Sequence, residues 1–317
     1  MGPFLLRRLG QSIVLLIIVS IVGFSILNLA PGGPMSAYNL SPGLTQADRE
    51  RIAEEMGLND PLPVQYFRWA GGLVTGDWGN SFRDSQPVTS IVMSRIPATF
   101  ELMITAVTVA ATLGVGIGVL GAMRKNSVFD YSSTIGAMVA LSIPTFWFGL
   151  MVIFFFSVEL GWLPSGGRST IGGDGSLADH LWHLLGPAAV LALVTIAIWS
   201  RYARSSMIDA LNQDYIRTAR AKGISETGVI GGHAMRNAVL PLVTLAGIQL
   251  PALFGGALVT ETVFSWPGMG RLFLDSLEYR DYPVLMGILM ATAFLVVLGS
   301  LLADLLYAWV DPRIRLT

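Results

Sequence analysis

The chain has no cysteine, so it has no disulfide, no thiol nucleophile and no thiolate metal site. Histidine is nearly absent too, with only His180, His183 and His233. The first two share a helical face, but no third ligand is evident, and no metal site is expected. Charged residues make up 13% of the 317, against about 25% in a soluble domain. The net charge of −1 leaves no excess that would draw a polyanion. No G-x-x-x-x-G-K-[ST] motif occurs: Gly223 and Gly228 have the glycine spacing, but Val229 stands where lysine is needed. The chain therefore lacks an ATP site of that type, and any ATPase that drives it must be another chain.

What is plentiful is apolar sequence, 53% of the residues, with a mean hydropathy of +0.61. That composition predicts an all-α membrane protein with several spans. Leu9 to Ala30 follows Arg7 and Arg8; it is longer than a signal-peptide core and no A-x-A site follows, so it reads as an uncleaved first span. Pro97 to Met123 is the second, with a stripe of Gly114, Gly116, Gly118 and Gly121 for close packing. Tyr131 to Val158, Leu184 to Ser200, Asn237 to Thr260 and Val284 to Val310 complete six. Pro144, Pro187, Pro241 and Pro251 fall inside spans, where each frees a carbonyl and bends its helix. They are either ordinary kinks or the bends of third and fifth spans that line a path opening alternately.

With both termini inside, twelve of the Lys and Arg residues lie inside and eight outside, and five of those eight sit in the long first loop, where the bias counts for little. Asp304 is the one carboxylate well inside a span, read as a pair with a neighbouring chain or as snorkelling to the interface. Glu101 and Glu261 fall near outer span ends and are expected in headgroup or water. Charge inside the spans is scarce, so the path is neutral, and Ser142, Thr145, Thr244, Gln249 and Thr260 are its polar candidates.

Two polar stretches punctuate the spans. In the first, Pro31 to Arg95, Thr45 and Asp48 form a near capping box, Gly57 can end that helix, and Pro61 and Pro63 start another. Its Tyr66, Phe67, Trp69, Trp78 and Phe82 suit a small folded domain better than a linker. The second, Tyr215 to Pro241, reads YIRTARAKGISETGVIGGHAMRNAVLP. Asp214 is a candidate N-cap for a helix to Lys222, Gly223 a helix-ending glycine, and Ser225 a cap for a second helix with Glu226 in its first turn. The result is an elbow. Arg217, Arg220 and Lys222 line it with positive charge, and Ala219, Ala221 and Gly223 allow close approach of another protein.

The elbow resembles the "EAA" loop of binding-protein-dependent ABC-transporter permeases of the dipeptide/oligopeptide (peptide/nickel) group. Thr218, Ala219 and Gly223 match that pattern; Arg217 replaces its glutamate, and the spacing to Leu240 and Pro241 is longer. The runs from Gly57 (GLNDPLPVQYFRWAGGLVTGDWGNS), Ser142 (SIPTFWFGLMVIFFFSVELGWLP) and Thr260 (TETVFSWPGMGRLFLDSLEYRDYP) are similar to the same group, in the same order. The resemblance implies a type I ABC importer permease fold: residues 1–30 as tail and first helix, 31–96 as an extracytoplasmic domain, 97–310 as a core with a cytoplasmic loop at 206–236, and 311–317 as an inner tail. It implies a coupling role for Arg217, Thr218, Ala219, Arg220, Lys222 and Gly223 within 215–232. It also implies a second permease subunit, two ATP-binding subunits that hold ATP and Mg, and an external solute-binding protein, in the cytoplasmic membrane, with no cofactor on this chain. Relatives carry dipeptides, longer peptides, nickel chelates or glutathione.

Other classes fit poorly. An intramembrane aspartyl protease needs two facing acids, and only Asp304 qualifies. A helix-turn-helix at the elbow would carry six positive and three negative side chains over 201–236, a weak footprint for nucleic acid, and the flanking spans pin it to the membrane.

Overall fold

The computed structural model describes residues 2–35, 45–55, 57–239, 241–243, 245 and 257–310. Among these the regular elements are helices: α1 (Gly2–Leu29), α2 (Gln46–Glu55), α3 (Leu62–Thr75), α4 (Val88–Met123), α5 (Val128–Ser142), α6 (Thr145–Val152, continued by a π-helical stretch Ile153–Glu159), α7 (Leu177–Leu211), α8 (Asp214–Ala221), α9 (Glu226–Gly228), a π-helical stretch Val229–Ala234, α10 (Met235–Ala238), α11 (Met269–Glu278) and α12 (Tyr282–Val310). Residues 257–263 are also helical. Four of these helices are long and apolar enough to cross a membrane; α5 with α6 makes a fifth if that bent pair is one span.

The spans differ from the sequence expectation in three places. The second begins at Val88, not Pro97, and α4 runs through the proline for 36 residues. Val88 and Val92 before it, and Ala98 and Leu102 after it, are all buried, so packing holds the helix on both sides of the missing amide. The third is broken: α5 and α6 meet at 103°. Pro144 disfavours the helical conformation at Ile143, which sits at φ −83°, ψ 126°. Pro144 therefore opens α6 and does not kink a continuous span. The fourth is longer than Leu184 to Ser200; Ser176 caps it by accepting the Asp179 amide, Pro187 lies inside it, and it carries Arg201 and Arg204 on to Leu211. Most of the expected fifth span, with Thr244, Gln249 and Pro251, lies outside the described residues, as does the 311–317 tail.

The chain divides into two compact units. The first holds residues 1–97 and 268–298. Its core gathers Val88, Val92, Met269, Val284, Ile288 and Ala291. Gly287 allows that approach, since a Cβ there would stand 2.5 Å from Val88 Cγ1. The capping box forms as expected, with the Thr45 hydroxyl accepting from the Asp48 amide and the Asp48 carboxylate accepting from the Thr45 amide. The α3 helix packs Tyr66 edge-on to Phe24 of α1, and the Tyr66 and Ser20 hydroxyls are 2.8 Å apart. Buried Asp281, just before α12, accepts from Ser81 Oγ at 2.5 Å and from the Phe82 amide at 3.2 Å. That bond ties residues 76–82 (GDWGNSF) to the start of α12 across 200 residues of sequence.

The second unit holds residues 98–267 and, among the described residues, 299–310. Two glycines of the α4 stripe meet α7 closely: a Cβ on Gly114 would stand 2.9 Å from Trp199 Cβ, and one on Gly118 would collide with the Ser200 carbonyl. Asp130, 2% exposed, takes a two-pronged contact from the Arg204 guanidinium (Nη2 to Oδ2, 2.8 Å) and the Asn126 amide at 2.9 Å. It joins the first turn of α5 to α7.

Candidate functional site

The elbow follows directly from α7. Gln213, not Asp214, is the N-cap of α8; Asp214 is its first residue, where a carboxylate suits the helix dipole, and it pairs with Arg217. Ile216 and Ala219, one turn apart, are the buried face of α8. They join Met207 and Ala210 of α7 and Val229, Ala234 and Ala238 in one apolar cluster. Ala219 thus points into the chain, contrary to the expectation that its small side chain serves close approach from outside; Ile216 three residues earlier was the available signal for that face. Arg217, Thr218, Arg220, Ala221, Lys222 and Gly223 are exposed.

Gly223 has φ +75°, in the left-handed region. Its amide bonds the Arg220 carbonyl at 2.9 Å, and the Ile224 amide bonds the Ala219 carbonyl at 3.3 Å, the pairing of a Schellman ending. Ser225 then caps the second arm by accepting the Gly228 amide. Glu226 does more than favour the dipole: it accepts Arg220 Nε at 3.1 Å and Nη2 at 2.6 Å. The Arg220 hydrogen bond holds the Glu226 carboxyl below its usual range and raises the guanidinium in turn. Exposed pairs of this kind add little stability. The expected cationic line is therefore partly neutralised within the chain, and Lys222 is the member without an ion pair among the described residues.

Of the path candidates, Ser142, Thr145 and Thr260 are among the described residues. Ser142 is exposed and donates to the Met138 carbonyl, and half-buried Thr145 starts α6 across the bend. Thr260 is buried at 1% exposure. Asp304 is half-buried on α12. Glu261 corrects the sequence reading: it is not in headgroup or water but fully buried, accepting from Thr99 Oγ1 at 2.6 Å. Glu101 is half-buried and bridges Arg168 and His180, which gives that histidine a carboxylate partner. These partners lie 67 to 162 residues apart in sequence, and no local pattern announces them.

A long apolar helix that leads into an exposed, capped elbow is the arrangement of a membrane protein with a structured loop between spans. Residues 1–103 match the family described as "Binding-prot-dependent transport system membrane comp, N-term", and residues 114–316 match "Binding-protein-dependent transport system inner membrane component". The chain belongs to this family of transport-system membrane components. It is 47% identical over 316 residues to the oligopeptide transport system permease protein AppB of Bacillus subtilis (strain 168), covering 99% of this chain and 100% of that one. It is 38% identical over 336 residues to the dipeptide transport system permease protein DppB of Escherichia coli (strain K12), covering 99% of each. A structure described as inward facing conformations of the MetNI methionine ABC transporter aligns with a TM-score of 0.56 at 18% identity, over 70% of this chain and 96% of that one. The fold is that of a type I ABC importer permease, and the chain is a transport subunit.

Proposed function

We propose that this chain passes di- and oligopeptides from an external solute-binding protein across the cytoplasmic membrane, working with a second permease chain and two ATP-binding subunits that hold ATP and Mg. The observation that carries the cargo class is the near-complete alignment with permeases named for oligopeptides and dipeptides. Six spans with both termini inside, and residues 31–96 on the outer side, are supported by the excess of Lys and Arg assigned inside.

In this reading the coupling surface is Arg217, Thr218, Arg220, Ala221, Lys222 and Gly223. Ala219 supports it from beneath, through the cluster with α7. When the ATP-binding subunits close, the elbow moves, and the 35 residues of α7, roughly 50 Å of continuous helix, carry that movement across the membrane. Cargo selection rests with the solute-binding protein, because the polar path candidates are few and uncharged.

The test is ATP-driven uptake of labelled di- and oligopeptides by liposomes holding the co-expressed complex. Peptide uptake is expected. ATP-dependent uptake of nickel chelates or glutathione in place of peptides would move the cargo, and a chain that brings no ATPase through purification would refute the reading.

A further inference from the structure

Just after Pro97, within one turn of α4, three residues each receive a polar partner from a distant segment. The Trp266 indole N–H donates to the Ala98 carbonyl at 2.8 Å. Thr99 Oγ1 donates to Glu261 Oε1 at 2.6 Å. Glu101 takes Arg168 Nη2 at 2.8 Å on one oxygen and His180 on the other. Trp266 and Glu261 are 0% exposed and Thr99 is 2% exposed. The His180 ring, on the first turn of α7, lies 5.9 Å from the Trp266 ring. Residues 260–266, the segment before α7 and α7 itself therefore converge on one stretch of α4, all within the second unit.

Glu261 and Thr99 are a costly way to build a core. Buried polar pairs contribute little net stability, and apolar side chains of similar volume often serve as well or better. An acid buried in a membrane protein is a functional candidate for that reason. A contact that must open and reclose has a different requirement. A separated hydroxyl and carboxylate can exchange each other for water, whereas separated apolar faces must expose apolar surface. His180 stands near one end of α7 and the elbow follows the other, about 45 Å of helix away.

We infer that Thr99 and Glu261, with Trp266, form a positioning clasp for transport: it holds residues 260–266 on α4 in one state of the permease and releases them in the other. The inference rests on the transport role above. Both residues act by fixing the segment.

The test compares the assembled wild-type complex with Thr99→Val/Glu261→Met and with Glu261→Gln. The readouts are the thermal unfolding midpoint, ATP hydrolysis and ATP-driven uptake of a labelled dipeptide. The apolar pair is expected to keep or raise the midpoint and to retain hydrolysis, while uptake falls by about fivefold or more, the lower end of ordinary coupling effects. Glu261→Gln keeps an acceptor for Thr99 and is expected to stay near wild type. Full uptake by the apolar pair would overturn the clasp. So would a lowered midpoint that accounts for the lost uptake, or a Glu261→Gln variant as defective as the apolar pair. Wild-type complex that hydrolyses ATP but takes up no dipeptide would instead overturn the peptide-cargo reading on which the clasp rests.

Discussion

At Gly223 the backbone turns left-handed, and nothing lies within 4 Å of the place a Cβ would occupy. The glycine therefore serves the turn and leaves open surface beside Lys222. The two roles separate by substitution. Asparagine tolerates the left-handed region and stays small, while leucine adds about 1–2 kcal/mol of backbone strain and fills the surface. Gly223→Asn is expected to transport nearly as well as wild type. Gly223→Leu is expected to lose about tenfold in uptake, equivalent to about 1.4 kcal/mol of docking, with the complex still assembled. Pull-down of the ATP-binding subunits beside the uptake assay checks both. The Gly223 and Ser225 caps were legible in sequence because caps are local, whereas the pairing of Glu226 with Arg220 was not. The inward turn of Ala219 was less so, since it depends on what Val229, Ala234 and Ala238 bring to the other side. Glu261 was misread because an acid at the end of an apolar run looks solvated until Thr99, 162 residues away, is placed beside it.

Among the elements, α4 and α7 give the sharpest contrast. Gly118 faces the Ser200 carbonyl and the Arg204 amide, backbone atoms that cannot swing aside, whereas Gly116 faces open space. Gly118→Ala is expected to destabilise by about 1–3 kcal/mol through overpacking. Gly116→Ala is expected to be neutral or stabilising by up to about 1 kcal/mol from helix propensity. Unfolding in mixed micelles measures both. The stripe was visible in sequence, but which glycines face a neighbour was not.

Prolines show the same limit: Pro97 is carried inside a helix and Pro144 ends one, because the first has buried apolar residues on both flanks and the second disfavours the helical region at Ile143.

On α2 the Thr45 hydroxyl and amide hold the Asp48 carboxyl below its usual range. A depressed carboxylate stabilises above its unfolded value, about pH 4, and that contribution is lost as pH falls through the lower folded value. Amide protection factors in the first turn of α2 are therefore expected to drop below about pH 4 in the wild type. Thr45→Ala is expected to show low protection at neutral pH already.

At the scale of the whole molecule, the four long apolar helices and the bent pair were legible because hydrocarbon thickness imposes runs of about 20 apolar residues. Their ends were not, since α4 and α7 extend well past the length that the membrane requires. The central claim is that the exposed side of α8 and Gly223 is where this permease meets its ATPase. The absence of cysteine makes the decisive measurement simple, because single-cysteine variants need no altered background. Lys222→Cys at the elbow and Thr75→Cys at the end of α3 would each be treated with a short thiol-to-amine crosslinker in membranes holding the complex. A product joining Lys222→Cys to an ATP-binding subunit, with none from Thr75→Cys, is the expected result. A product from Thr75→Cys and none from Lys222→Cys would contradict the account.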